Sequence, residues 1–344
     1  MQQLSLFALQ KMETDILCGK SLILASKPFA REIRSKSWWH TLSTLTLLVS
    51  AFAGAALLPN FVLRLVSSVL AGLLMIRMFI IYHDYQHHTI LRHSWIAEVI
   101  MVLYGLFILA PASIWKRSHD HHHAHNSKLF SASIGSFPIV TKSKFLNMSR
   151  AERRQYLFTR HPLTITFGYF FMFIIGMCIS SFTSAPRKHA DSLLALVLHV
   201  VGSGLLVYFF GWQTWMLLIL IPFFVSLSIG SYLFYAQHNF PGVEFADNKS
   251  WTYHKAALDS SSYMKMHPIM EFFTGNIGYH HIHHLNAKIP FYRLPETMKA
   301  FKELQQCKTT SLHPKDIIAC FRLKIWDSEQ KRMIGLKELK QQVA

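Results

Sequence analysis

The stretch His119-Asp120-His121-His122-His123 decides how the rest of the chain reads. Its spacing, H-x-x-H-H, returns at His280-His281-Ile282-His283-His284, and a looser H-x-x-x-H precedes both at His83 and His87. Residues three and four apart on a helix share a face, so each stretch points two or three imidazoles at a common centre. Each box also neighbours a long apolar run. Together they predict a polynuclear metal site held at a membrane surface.

Composition supports the membrane. Of 344 residues, 51% are hydrophobic and only 15% charged, where a soluble domain carries about 25% charged residues. The net charge of +17 suits the anionic cytoplasmic face of a bilayer. No nucleic-acid recognition module accompanies the basic charge, so nucleic acid is not an expected partner. Cys18, Cys178, Cys307 and Cys320 form no C-x-x-C pair and suggest no disulfide framework. The N-terminal residues lack a signal-peptide layout, so the first apolar stretch reads as a retained anchor.

The expected fold class is all-α: a polytopic membrane helical bundle with a cytoplasmic helical cap and a histidine-rich di-metal site. Three parts are expected: a cytoplasmic N-terminal segment, 1–40; the membrane domain with its boxes, 41–295; and a cytoplasmic helical segment, 296–344. Lys20, Lys27, Arg31, Arg34 and Lys36 lead into Trp38-Trp39, a basic flank before an interfacial aromatic anchor. Runs 41–58 and 61–82 read as a helical hairpin turning at Pro59-Asn60, with Arg64 and Arg77 expected to snorkel. The run 94–112 poses a parity problem. A full crossing would put His83 and His119 on opposite faces, so a re-entrant or in-plane element is expected.

Ser149 and Glu152 form a capping box, and Arg150, Arg153, Arg154 and Arg160 mark that loop as cytoplasmic. Three apolar runs follow, 162–182, 192–210 and 213–236. One, near 204–222, is expected to bend at Gly202, Gly204, Gly211 or Pro222 so that His238 returns to the other histidines. Pro295 and Pro314 are expected to start helices.

Neutral imidazole suits iron, zinc, copper or nickel. The candidate ligands are His83, His87, His119, His122, His123, His280, His283 and His284. His238, ending the last apolar run, is a candidate ninth. Asn276, one helical turn before His280, is a candidate for holding a metal-bound water or for capping the helix of the third box. His88, His121, His125 and His281 fall off the ligand face or outside its spacing. Asp84, Asp120, Asp247, Asp259 and Glu271 are candidate acceptors for the outer imidazole nitrogens.

The ordered triplet of boxes resembles the membrane fatty acid desaturase family. Phe234-Tyr235-Ala236-Gln237-His238 resembles that family's additional ligand region, and residues 275–285 are similar to its acyl-lipid, omega-6-like branch. The resemblance covers residues 40 to 295. It implies two iron ions (Fe2+/Fe3+) on the cytoplasmic side and oxygen-dependent insertion of a double bond into an acyl chain. That chain would arrive as a lipid, an acyl-CoA or an acyl-carrier conjugate. It also implies a separate electron donor, such as ferredoxin or cytochrome b5 with a reductase, since no His-Pro-Gly-Gly haem signature is present. Tyr85-Gln86 departs from the small pair common inside the first box of the acyl-lipid branch. Two other functions use similar residues. A di-iron lipid hydroxylase or ketolase shares the boxes. A histidine-rich metal transporter should instead place its ligands within the spans.

Overall fold

The computed structural model describes residues 17, 19–129, 137–247 and 249–343. Cys18 and residues 1–16 of the N-terminal segment lie outside the described residues. Helix α1, Arg34–Leu57, and helix α2, Phe61–Gln86, form the expected hairpin. The side chain of Asn60 starts α2 by accepting the N–H groups of Val62 at 2.8 Å and Leu63 at 3.2 Å, a cap worth about 1 kcal/mol. Helix α2 runs past position 82, which puts His83 on its last turn and His87 at its C-cap.

Arg77 of this hairpin does not reach for water, while Arg64 is half-buried. Arg64 donates to the carbonyl of Ala55 at 2.8 Å. Arg77 is buried and donates to Thr44 Oγ1 at 3.2 Å and to the Phe272 carbonyl, with His40 Nδ1 at 3.1 Å. Its guanidinium lies 4.0 Å from the Phe272 ring centroid. A buried guanidinium with several acceptors can stay charged without an escape route, because its donors are satisfied inside the protein.

Helix α3, Trp95–Phe107, and helix α4, Ala112–His125, meet at a bend of 90°. Leu109 in the bend takes φ 60°, and Pro111 removes a backbone donor before α4 begins. The stretch 94–112 is therefore not one straight helix. Helix α5, Arg150–Thr159, opens with the expected capping box. Arg160 just after it is fully buried, so it is no surface marker of topology.

The run 162–182 is broken into a short helix, Pro162–Thr166, and a π-helix, Tyr169–Ser180. Helices α6, Ala190–Trp215, and α7, Ile221–Ala236, follow. The expected bend falls at Gly211, with φ 80° and ψ 164°, a conformation open to glycine and strained for other residues. His199 and Phe223, equally far from Gly211 along the chain, have ring centroids 4.9 Å apart. The chain thus folds back on itself there. Gly202 and Gly204 sit inside α6. Pro222 occupies the first turn of α7, after a π-helical turn at Met216–Leu220 where its missing N–H interrupts the ladder.

Among the described residues, α1, α2 and the stretch Ala190–Ala236 are long and apolar enough to cross a membrane. Val49, Leu57, Val66, Val197 and Val200 on these helices are exposed. Apolar surface on this scale needs a lipid solvent, and the chain is a membrane protein.

The fold is nearly all-α. Two small sheets were not expected. Strand β1, Tyr263–Lys265, pairs in parallel with β2, Thr309–Ser311, and β3, Ile325–Asp327, pairs antiparallel with β4, Arg332–Ile334. The first ties the C-terminal segment to the approach of the third box, since Met264 N–H also donates to the Gly278 carbonyl at 2.8 Å. Helices start at Leu294–Ala300 and Pro314–Arg322 with their prolines in the first turn, as expected.

Candidate metal centre

Four helical ends deliver the histidines. The last turn of α2 carries His83 and His87, α4 carries His119, His122 and His123, the end of α7 leads to His238, and helix α8, His280–Leu285, carries the third box. Their nitrogens gather into two groups. His83, His87, His119, His123 and His283 form one; His122, His238, His280 and His284 form the other. All nine are buried. The two groups are interleaved, because α4 and α8 each contribute to both.

In the four-histidine group the Nε2 atoms close a ring. His122 to His238 is 3.1 Å, His238 to His280 2.8 Å, His280 to His284 3.1 Å, and His284 to His122 3.2 Å. In the other group His83 Nε2 is 2.8 Å from His119 Nε2, His119 is 3.1 Å from His123, and His123 is 3.0 Å from His283. Two imidazole nitrogens bound to one metal at about 2.0–2.1 Å would stand about 2.8–3.4 Å apart, from a 90° to a tetrahedral angle. The observed spacings fit that range.

Protonation fits as well. His238 Nδ1–H donates to the Ser260 carbonyl at 3.0 Å, and His83 Nδ1–H donates to Asp84 Oδ1 at 3.0 Å. A ring that carries its one proton on Nδ1 turns an Nε2 lone pair toward the group centre. Burial pushes His238 down to about 4. Burial first, then neighbouring imidazoles, holds His280 and His284 well below the ordinary histidine range. These rings are neutral at physiological pH. Lone pairs held about 3 Å apart repel unless a proton or cation lies between them. His87 Nε2 is a buried nitrogen with no hydrogen-bond partner among the described residues, and it belongs to the five-histidine group. The donor set, all nitrogen and no thiolate, is one that iron, zinc, copper or nickel accepts.

Of the candidate carboxylates, Asp84 contacts a ligand histidine, and its second oxygen accepts the Phe291 N–H at 2.7 Å. Asp120 is exposed and pairs with Lys116 at 2.6 Å. Asp247 closes its own turn with Ser250. Asp259 and Glu271 enter hydrogen bonds with other segments through their backbone carbonyls, to Lys308 and Asn276. Asn276 lies in the turn before α8, with φ 57°, not on the helix, and its side chain donates to the Phe291 carbonyl at 3.2 Å. It does not cap α8. His88 and His121 are exposed, while His121 and His125 stack with centroids 4.2 Å apart. His281 is fully buried and donates to the Leu304 carbonyl at 3.1 Å, away from both groups.

Two supporting residues escaped sequence reasoning. Trp115, just past the apolar run 94–112, is fully buried and stacks on His119, with centroids 5.0 Å and planes 14° apart. Its spacing four residues before His119 was the available signal. Arg160 donates to Asn239 Oδ1 at 2.5 Å and to the Pro138 carbonyl at 3.1 Å, bracing the chain one residue past His238. Nothing local in the sequence marks it as buried.

A groove of ≈ 660 Å³ reaches α4 at Ser118 and is lined also by Phe137, Ile165, Gly168, Met172 and Ser231 among others. Ser118 precedes His119 and stands one helical turn before His122. Phe158, Phe171 and Ile175 at its rim are exposed, so the groove opens on apolar surface.

The pattern of the fatty acid desaturase family matches residues 59–313. A fatty acid desaturase of Bacillus subtilis (strain 168) is 29% identical over 282 residues, covering 82% of this chain and 80% of the relative. An sn-1 acyl-lipid omega-3 desaturase (ferredoxin) of Nostoc sp. (strain 36) is 22% identical over 287 residues, covering 78% and 75%. An sn-1 oleoyl-lipid 12-desaturase of Synechocystis sp. (strain ATCC 27184 / PCC 6803 / Kazusa) is 22% identical over 271 residues, covering 78% and 76%. The family match takes in every histidine of both groups and well over half of the chain, and on that ground the chain belongs to the fatty acid desaturase family and is a fatty acid desaturase.

Proposed function

We propose that the enzyme introduces a double bond into the acyl chain of a membrane lipid, using two iron ions held by the nine histidines. The observation that carries this reading is the pair of interleaved imidazole groups, nine nitrogens in two sets, with an apolar groove reaching α4, one of the two helices that serve both, at Ser118. His83, His87, His119, His123 and His283 would hold one iron, and His122, His238, His280 and His284 the other. Iron in such a site supplies the redox chemistry with oxygen that zinc lacks.

The chain's own part is to place and shield. The groove aligns a flexible chain of methylenes and keeps water away from it. Asp84 and the Ser260 carbonyl orient their imidazoles and raise their basicity. Asn276 holds the backbone of Phe291, whose N–H in turn bonds Asp84. The balance is two hydrogens lost from adjacent carbons and one dioxygen reduced to two waters. Two further electrons come from a separate donor, and two protons from solvent. The ferredoxin in the name of the Nostoc relative supports a ferredoxin as donor; cytochrome b5 with a reductase serves the same role.

In this reading both termini and every box face the cytoplasm. Residues 41–295 form the membrane and metal part, with 1–40 before it and 296–344 capping it. The excess of Lys and Arg near the boxes, Lys116, Arg117, Arg150 and Arg154 among them, supports that orientation.

The test is incubation of the purified, iron-loaded enzyme with acyl lipids, oxygen and a reconstituted donor, with products read by mass spectrometry. An oxygen-dependent loss of two mass units from an acyl chain is expected. An alcohol as sole product would move the assignment to hydroxylation, and metal flux across vesicles without lipid oxidation would move it to transport.

A further inference from the structure

Helix α4, like α8, gives candidate ligands to both groups from a single box: His119 and His123 to one, His122 to the other. Its angle and depth therefore matter to both. Yet its start is weakly made. Pro111 stands at the N-cap, offers no side-chain cap, and leaves the first N–H groups without the usual acceptor.

An outside carboxylate supplies it. Asp191, on the first turn of α6, accepts the Ser113 N–H at 3.0 Å through Oδ2 and the Ser113 hydroxyl at 2.5 Å through Oδ1. His189 Nδ1 lies 2.8 Å from Ser113 Oγ, and Arg117 NH1 lies 3.3 Å from His189 Nε2. One assignment of protons satisfies every contact. Arg117 donates to His189 Nε2, His189 Nδ1–H donates to Ser113 Oγ, and Ser113 gives its hydroxyl and backbone protons to Asp191. The chain starts at Arg117 on α4, meets the same helix again at Ser113 and ends on Asp191 of α6, so it holds α4 at two points, along its axis and also about it. Arg117 is two residues before His119, and Ser113 is in the first turn. A negative charge at that end also complements the helix dipole.

We infer that Asp191, with His189 and Ser113, is a positioning residue that sets the pose of α4 and through it the ligand geometry of both metal sites. None of the three belongs to either imidazole group, so each acts through the helix. The inference rests on the two-site metal reading proposed above.

The experiment uses the full-length enzyme purified in detergent, loaded with Co(II), and titrated with a chelator. Ligand-field spectra and unfolding temperature are recorded on the same samples. Asp191→Ala is expected to weaken metal retention about tenfold, the range seen when partners of metal ligands are removed, and to shift the Co(II) spectrum. Asp191→Asn keeps an oxygen for the Ser113 N–H and should recover most of that affinity. Wild-type affinity and spectrum in Asp191→Ala would overturn the inference. So would a loss explained wholly by unfolded protein, with the folded fraction keeping the wild-type spectrum, or an Asn variant no better than Ala. His122→Ala separates the two levels. If it too keeps full metal and spectrum, the metal reading fails and the inference with it. If it loses metal while Asp191→Ala does not, the positioning role alone fails.

Discussion

Asp84 accepts the Nδ1–H of His83, its own chain neighbour, at 3.0 Å. Adjacent residues on a helix seldom face each other, and this pair does so at the last turn of α2. The other carboxylate oxygen holds the Phe291 N–H at 2.7 Å. One buried carboxylate thus binds a ligand of the first box to the loop beyond the third. Asp84→Asn should lower metal affinity of the five-histidine centre by about 10–100-fold, with a smaller effect on the four-histidine centre. Metal analysis after graded chelation checks this. Equal retention at both centres would count against it.

Arg160 is fully buried, and its donors reach Asn239, Pro138 and Leu323. Arg160→Met leaves several acceptors without a partner and should destabilise the protein by about 3 kcal/mol. Arg160→Lys should not restore it, since one ammonium cannot span the same acceptors. Arg154, exposed on α5, should change stability by less than about 0.5 kcal/mol when replaced by Met. Denaturant unfolding of the three variants decides the matter.

The groove can be filled from one side without disturbing the packing on the other. A Cβ at Gly176 would meet only the Phe171 carbonyl, at 3.4 Å. Gly176→Leu should therefore cut turnover of acyl lipid and raise KM while metal content stays at the wild-type level. A Cβ at Gly168 would lie 2.5 Å from Ser231 Cβ, so Gly168→Ala should destabilise the protein. Ser231→Gly in the same chain should relieve part of that loss. A double-mutant cycle with unfolding free energies measures the coupling.

His281 contributes to the pH dependence from outside the ligand sets. Burial pushes it down to about 4, with a hydrogen bond to Leu304 opposing the shift. The unfolded chain binds this proton near 6.5, the folded chain only near 4. Between those values the unfolded state holds more protons, so stability is full above 6.5 and falls as pH falls toward 4. The loss amounts to about 3 kcal/mol at its limit. His281→Gln should flatten the acid limb by about one proton. An unchanged slope between pH 7 and 5 would contradict the assignment.

The boxes were legible because a ligand face is a local property. Spacings of three and four residues set it wherever the helix goes. How the nine nitrogens divide was not legible, because His283 joins His83 while His280 joins His238 only after α4 and α8 cross in space. The bend between α3 and α4 followed from a parity argument, and Gly211 was one of four positions that composition marked. Arg160 shows the limit. An arginine in a basic loop reads as a surface charge, and only its distant neighbours, Asn239 and Leu323, make it an interior one. The three-residue strands β1 to β4 are too short for alternation to register. Asp191 is separated from Ser113 by most of the loop and apolar run between them, and no local pattern links the two.

Helix α4 has a thermodynamic consequence. With His119 and His123 on one centre and His122 on the other, ordering the helix for the first ion also readies a ligand for the second. The two loading equilibria are then cooperative. A pool of enzyme starved of metal should divide into empty and full molecules, with half-loaded ones scarce. Native mass spectrometry during a sub-stoichiometric titration would count them. An organism short of the metal would keep fewer working enzymes rather than many impaired ones.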